Sequence, residues 1–146
     1  MADSTDPILL RRAAVVAIYR RAAGGTVDRI AREAASAAST FGLTPDRVVG
    51  YGERIRAILP LGFDAMASPD GPERTAKIDE LARSVRGISD QHNVPRLVER
   101  GLVALAVRIG REVVRRGAQE QGFTPDELDS ECTTFMRLLE GRLFLD

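Results

Sequence analysis

Histidine and cysteine carry most metal and nucleophilic chemistry, and this chain of 146 residues has one of each, His92 and Cys132. That excludes the ligand spacings of a structural zinc site, and the ordered carboxylate and histidine set of a di-iron bundle is missing. A lone cysteine forms no intrachain disulfide, so nothing marks an oxidising compartment. Tryptophan is absent and aromatic residues make up 5%, so the core must be mainly aliphatic. Neither charge is in excess: 21 basic residues face 21 acidic ones, for a formal net charge of zero. Such a balance gives no global electrostatic reason to bind nucleic acid or anionic lipid. No apolar run approaches the roughly 20 residues that cross a bilayer. The start, MADSTDPILLRR, lacks the basic beginning and continuous apolar run of a secretory signal. The expectation is a soluble cytoplasmic protein with no membrane partner.

What is present is helical punctuation. Gly24-Gly25, Phe41-Gly42, Ser68 to Pro72, His92 to Pro95 and Gly117 to Phe123 divide the chain into six segments, none with sustained strand alternation. With 44% hydrophobic residues and the length of one domain, this predicts a single all-α domain of about six helices around one core. The first segment, Pro7 to Ala23, puts Leu9, Ala13, Val16 and Arg20 on one stripe and has other apolar residues all round. The second, Val27 to Thr40, repeats Val27, Ile30, Ala34, Ala38 and Phe41. The third opens with Thr44 as N-cap and Pro45 at the first helical position, and Pro60 kinks or ends it. The fourth repeats Ile78, Leu81, Val85 and Ile88. The fifth, Val94 to Arg116, has two apolar stripes, Val98–Leu102–Leu105–Ile109–Val113 and Val103–Val107–Val114. That pattern puts it at the centre of the domain. The last opens with Thr124, Pro125 and Glu127 in a capping-box pattern and turns Leu128, Cys132, Phe135 and Leu139 inward.

Catalytic constellations are nearly missing. Cys132 reads as a small buried hydrophobe. The glycines of GYGERI, Gly50 to Ile55, follow a helical pattern rather than a strand and lack the third glycine of a dinucleotide loop. TVDRIAREAA, Thr26 to Ala35, looks like the first helix of a TetR-type helix-turn-helix, but no short turn and recognition helix follow. A helical transcriptional regulator using Arg29 and Arg32 is therefore a third reading, with nucleic acid the weakest of the partner classes.

Three features together resemble the globin superfamily over about residues 48–144. A helix ends at a corner reading HNVP, a long apolar helix RLVERGLVALAVRIGREVV follows, and a linker ending FTP leads to DELDSECTTFMRLLEGRLF. These are similar to the globin F–G corner, G helix, G–H turn and H helix, with VGYGERIRAIL, Val49 to Leu59, in the place of E. The resemblance implies a globin-like helical sandwich. It also implies that the iron-binding histidine would fall at Ile88, or at Val85 if the corner carries an insertion. Both are apolar, and His92 falls at the corner itself. The chain thus looks like the haem-less sensor modules of bacterial stress regulators. Such a module implies no enzymatic activity and no cofactor, a homodimer or protein partner, and a pocket for a small apolar ligand lined by Val85, Ile88 and Leu102. The alternative is a haem globin in which His92 is the axial metal ligand and Tyr51 the distal donor.

Overall fold

The computed structural model describes residues 6–36 and 42–144, and every regular element among them is a helix. In chain order these are α1 Pro7–Ser36, α2 Pro45–Ala57, α3 Leu59–Ala67, α4 Pro72–Gln91, α5 Arg96–Gly117 and α6 Pro125–Phe144. A short 3-10 turn, Gln119–Gln121, precedes α6. The all-α expectation is met, but two boundaries differ from those read in the sequence.

The first two predicted segments are one helix, and Gly24-Gly25 does not interrupt it. A glycine inside a helix costs about 1 kcal/mol relative to alanine. Here packing on both sides outweighs that cost, with Val15 and Ile18 buried before the pair and Ala34 after it. Ala38, Thr40 and Phe41, assigned to the second segment, lie outside the described residues. The second difference is at Pro60. The i→i−4 ladder stops at Ile58, whose N–H turns to the Ile55 carbonyl. Proline then sits in the first turn of α3, where a missing N–H is harmless. Of the two alternatives read at Pro60, a kink or an end, the structure shows the end, followed at once by a second short helix.

The caps follow sequence. Thr44 Oγ1 accepts from the Arg47 N–H at 3.3 Å. Thr124 and Glu127 exchange the two bonds of a capping box, at 3.2 and 3.1 Å. The end of α4 is a Schellman closure. Asn93 takes the left-handed conformation (φ +52°), its N–H donates to the Asp90 carbonyl, and Val94 N–H donates to Ser89. The corner is tied down by Arg47 of α2, which donates to the carbonyls of His92 and Asn93 at 2.7 and 2.8 Å.

α1 crosses α2, α3, α5 and α6; α5 pairs with α6; α4 lies across α3 and α6. The inner faces of α4 and α6 are those the stripes predict: Ile78, Leu81, Val85 and Ile88, and Leu128, Cys132, Phe135 and Leu139 are all buried. The buried face of α1 is not. Of the expected stripe only Val16 is buried; Ala13 and Arg20 are exposed, and Ala14, Val15 and Ile18 are buried instead. A helix apolar on every side gives no phase from which to choose.

The buried residues form two clusters rather than the single core expected. One joins α1, α3, α4, α5 and α6 around Val15, Met66, Leu81, Val114, Leu128 and Leu143. The other joins α1, α2, the corner and the start of α5 around Val48, Tyr51, Ile88, Val94 and Val98. Ile55 and Ile58, at the α2–α3 junction, touch both.

Candidate ligand cavity

Residues from both clusters line a half-open cavity of about 260 Å³. α1 contributes Tyr19, Ile30 and Ala34, and the α2–α3 junction contributes Tyr51, Ile55, Ile58 and Phe63. Val85 of α4, Leu102 and Ala106 of α5, and Cys132, Phe135 and Met136 of α6 complete the main walls. Among the described residues, the lining holds no charged side chain and no imidazole. Small residues bring the walls together: a Cβ on Gly52 of α2 would lie 3.8 Å from the Ala31 methyl of α1. The glycines of GYGERI therefore serve helix packing rather than a nucleotide.

The lining's polar atoms come mainly in bonded pairs. Tyr19 Oη and Cys132 Sγ lie 2.9 Å apart. Tyr51 Oη and Ser89 Oγ, both buried, are also 2.9 Å apart. Burial pushes the Tyr19 phenol well up, with the neighbouring Cys132 and Asp129 adding to it. Burial raises the Cys132 thiol, although the Tyr19 bond works against it. The Tyr51 phenol is raised by burial too, with its Ser89 bond opposing. All three groups are held in their neutral forms.

The residues singled out in the sequence fall as follows. Val85 and Leu102 line the cavity, whereas Ile88 does not; it packs with Tyr51, Val94 and Val98 in the second cluster. Tyr51 lines the cavity. His92 is the C-cap residue of α4 and lies outside the lining. Its ring stands edge-on to Tyr51, centroids 6.2 Å apart, and would be the nearest neighbour of a Cβ placed on Gly50. Its backbone N–H donates to the Ile88 carbonyl. A haem in this cavity would need an axial donor from its walls. The candidates are the two tyrosines, Cys132 and the thioethers of Met66 and Met136. The phenols and thiol resist the anionic forms that bind iron, and no lining cation would meet the haem carboxylates. The donor set does not fit a histidine-ligated haem.

Arg29, the candidate for DNA contact, instead spans to Glu112 of α5 at 3.0 Å and to Glu33 at 3.7 Å. Arg32 is exposed. Among the described residues, no cluster of three or more histidine, cysteine, aspartate or glutamate side chains forms a metal site. No helix there is long and apolar enough to cross a membrane.

Besides the buried Arg12 and Arg74, two buried acidic groups escaped the sequence reading. Glu99 on α5 is completely buried. Neither of its carboxylate oxygens accepts a hydrogen bond, and Arg86 Nε lies 3.5 Å away as an ion-pair partner. The signal was available, since Glu99 stands four residues before Val103 on the second apolar stripe of α5. The other group, Asp129, borders the Tyr19–Cys132 pair. Arg111 grips it at 2.7 and 3.0 Å and Arg115 at 3.0 Å. The Arg111 bonds, then those from Arg115, hold its carboxyl below the usual carboxylate range, with burial opposing. Because the folded value lies below the unfolded one, this contribution is present at neutral pH and is lost as pH falls through the folded value. Asp129→Asn should therefore flatten the acid limb of the stability profile below about pH 4. Urea unfolding at stepped pH reads this directly, and an unchanged slope would count against it.

The chain matches no family model, and no curated protein or solved structure is significantly similar to it.

Proposed function

We propose that this chain is a non-enzymatic, globin-like sensor or protein-interaction module that works without haem. Its input is a small apolar molecule held between α1, α2, α4, α5 and α6. Its output is an altered contact with a protein partner or a second copy of the chain. The observation that carries this reading is the cavity lining, which offers apolar surface and neutral phenol and thiol groups but no charged side chain and no imidazole. Catalysis of hydrolysis, phosphoryl transfer or proton abstraction needs a titratable group or a metal beside the bound molecule. The titratable groups of the lining, two phenols and a thiol, are held neutral, and its remaining polar side chain is the hydroxyl of Thr26.

The haem alternative keeps one observation in its favour: Tyr51 reaches both the cavity and the His92 ring. The two readings separate in an absorption spectrum of the purified protein with and without added haemin. The proposal expects no saturable Soret band, and the same spectrum for His92→Ala. A stoichiometric Soret band that disappears in His92→Ala would sink the proposal and make His92 the axial ligand.

A further inference from the structure

We propose that the cavity takes an uncharged, mostly hydrocarbon molecule carrying one acceptor oxygen, such as a ketone, ester or ether, which receives a hydrogen bond from the Tyr19–Cys132 pair. This rests on the ligand-sensing reading above and names the ligand class for that site.

Size sets the scale. A cavity of about 260 Å³ exceeds the roughly 150 Å³ apolar cavity that holds benzene. Phe63, Met66, Phe135 and Met136 supply soft walls that adapt to an irregular alkyl chain. Charge sets the class. A carboxylate buried without a counter-charge costs several kcal/mol. No wall residue is a cation, and Arg111, close to Cys132, is committed to Asp129. Hydrogen-bond arithmetic sets the polar group. A phenol and a thiol carry one hydrogen each, and the 2.9 Å contact uses one of them. The other hydrogen has no partner among the described residues. An acceptor oxygen on the ligand satisfies it, while a ligand with only donors does not.

The test is displacement of the uncharged fluorophore N-phenylnaphthylamine from the full chain by octanone and by octanoate at neutral pH. Octanone should bind at least about tenfold more tightly, the difference being the uncompensated carboxylate. Tyr19→Phe leaves only the weak thiol donor and should weaken octanone about fivefold. Cys132→Ala frees the phenol and should not weaken it. Circular dichroism checks that both variants keep the helical fold. Octanoate binding as tightly as octanone would overturn the ligand class while leaving the sensing reading in place. Octanone affinity unchanged in Tyr19→Phe would overturn the assigned contact. If none of the three probes binds the parent protein, both this inference and the sensing reading fall.

Discussion

Arg86→Met should destabilise the protein by about 3–5 kcal/mol, among the largest losses available from a single half-buried residue. The reason lies with its partner. Glu99 is fully buried at the start of α5, and Arg86 on α4, 3.5 Å away, is its only ion-pair partner among the described residues. Removing the guanidinium strands a fully buried carboxylate near Tyr51, with neither oxygen hydrogen-bonded. It also releases the Leu143 carbonyl at the end of α6, to which Arg86 donates. Arg96 still donates to that carbonyl at 3.0 Å, so the carboxylate accounts for most of the loss. The reverse substitution should be milder. Glu99→Met leaves an arginine that is 26% exposed and still bonded to Leu143. The double variant Arg86→Met, Glu99→Met should recover most of the stability lost in Arg86→Met, because an apolar pair of similar volume removes the desolvation penalty together with the attraction. Denaturant unfolding of the three variants forms the cycle. Equal losses for the two single variants, or additive losses in the double, would mean that the pair is not a desolvated unit.

That ion pair also shows where a sequence is readable and where it is not. The inner faces of α4 and α6 are legible because one apolar stripe at helical spacing, bounded by caps and glycine or proline, leaves a single phase for burial. α1 is apolar on several sides, so Ala13 and Val15 could not be ranked. Its length was missed because Gly24-Gly25 reads as a break only if local propensity decides, and here tertiary packing decides. Val85 and Leu102 line the cavity, but the expectation of a pocket there comes from the resemblance to globins, since a stripe marks burial and not a cavity. Ile88 lies on the same stripe as Val85 but one turn nearer the corner, where it meets Tyr51 and Val94 instead. The Tyr19–Cys132 contact joins residues 113 positions apart, and no periodicity within either helix encodes it. Sequence pattern reaches the faces of helices; which face meets which depends on the crossings.

The crossing of α1 and α5 can be tested at Gly117. In the sequence, Gly117 reads only as the end of a helix. In the fold it is the last residue of α5, and a Cβ there would stand 2.9 Å from both Cγ atoms of Ile18 and 3.1 Å from its Cδ1. Both Cγ atoms are fixed directly to a β-branched carbon, so the side chain has no flexible end to withdraw. Ile18 is itself 5% exposed within the larger core cluster, with little room to turn. Gly117→Ala should therefore cost about 1–3 kcal/mol through overpacking, against the gain in helix propensity. Gly101 supplies the comparison within the same helix. It is exposed, nothing lies within 4 Å of its Cβ position, and Gly101→Ala should stabilise by about 0.5–1 kcal/mol. The two substitutions are chemically identical, so opposite signs in thermal or denaturant unfolding would isolate the crossing. Ile18→Ala removes all three crowded atoms, so combining it with Gly117→Ala should cost less than the sum of the single losses, by about 0.5–3 kcal/mol. A stabilising Gly117→Ala would mean that α1 and α5 stand farther apart than this packing requires. The walls of the cavity, which those two helices share at Tyr19, Leu102 and Ala106, would then have to be redrawn.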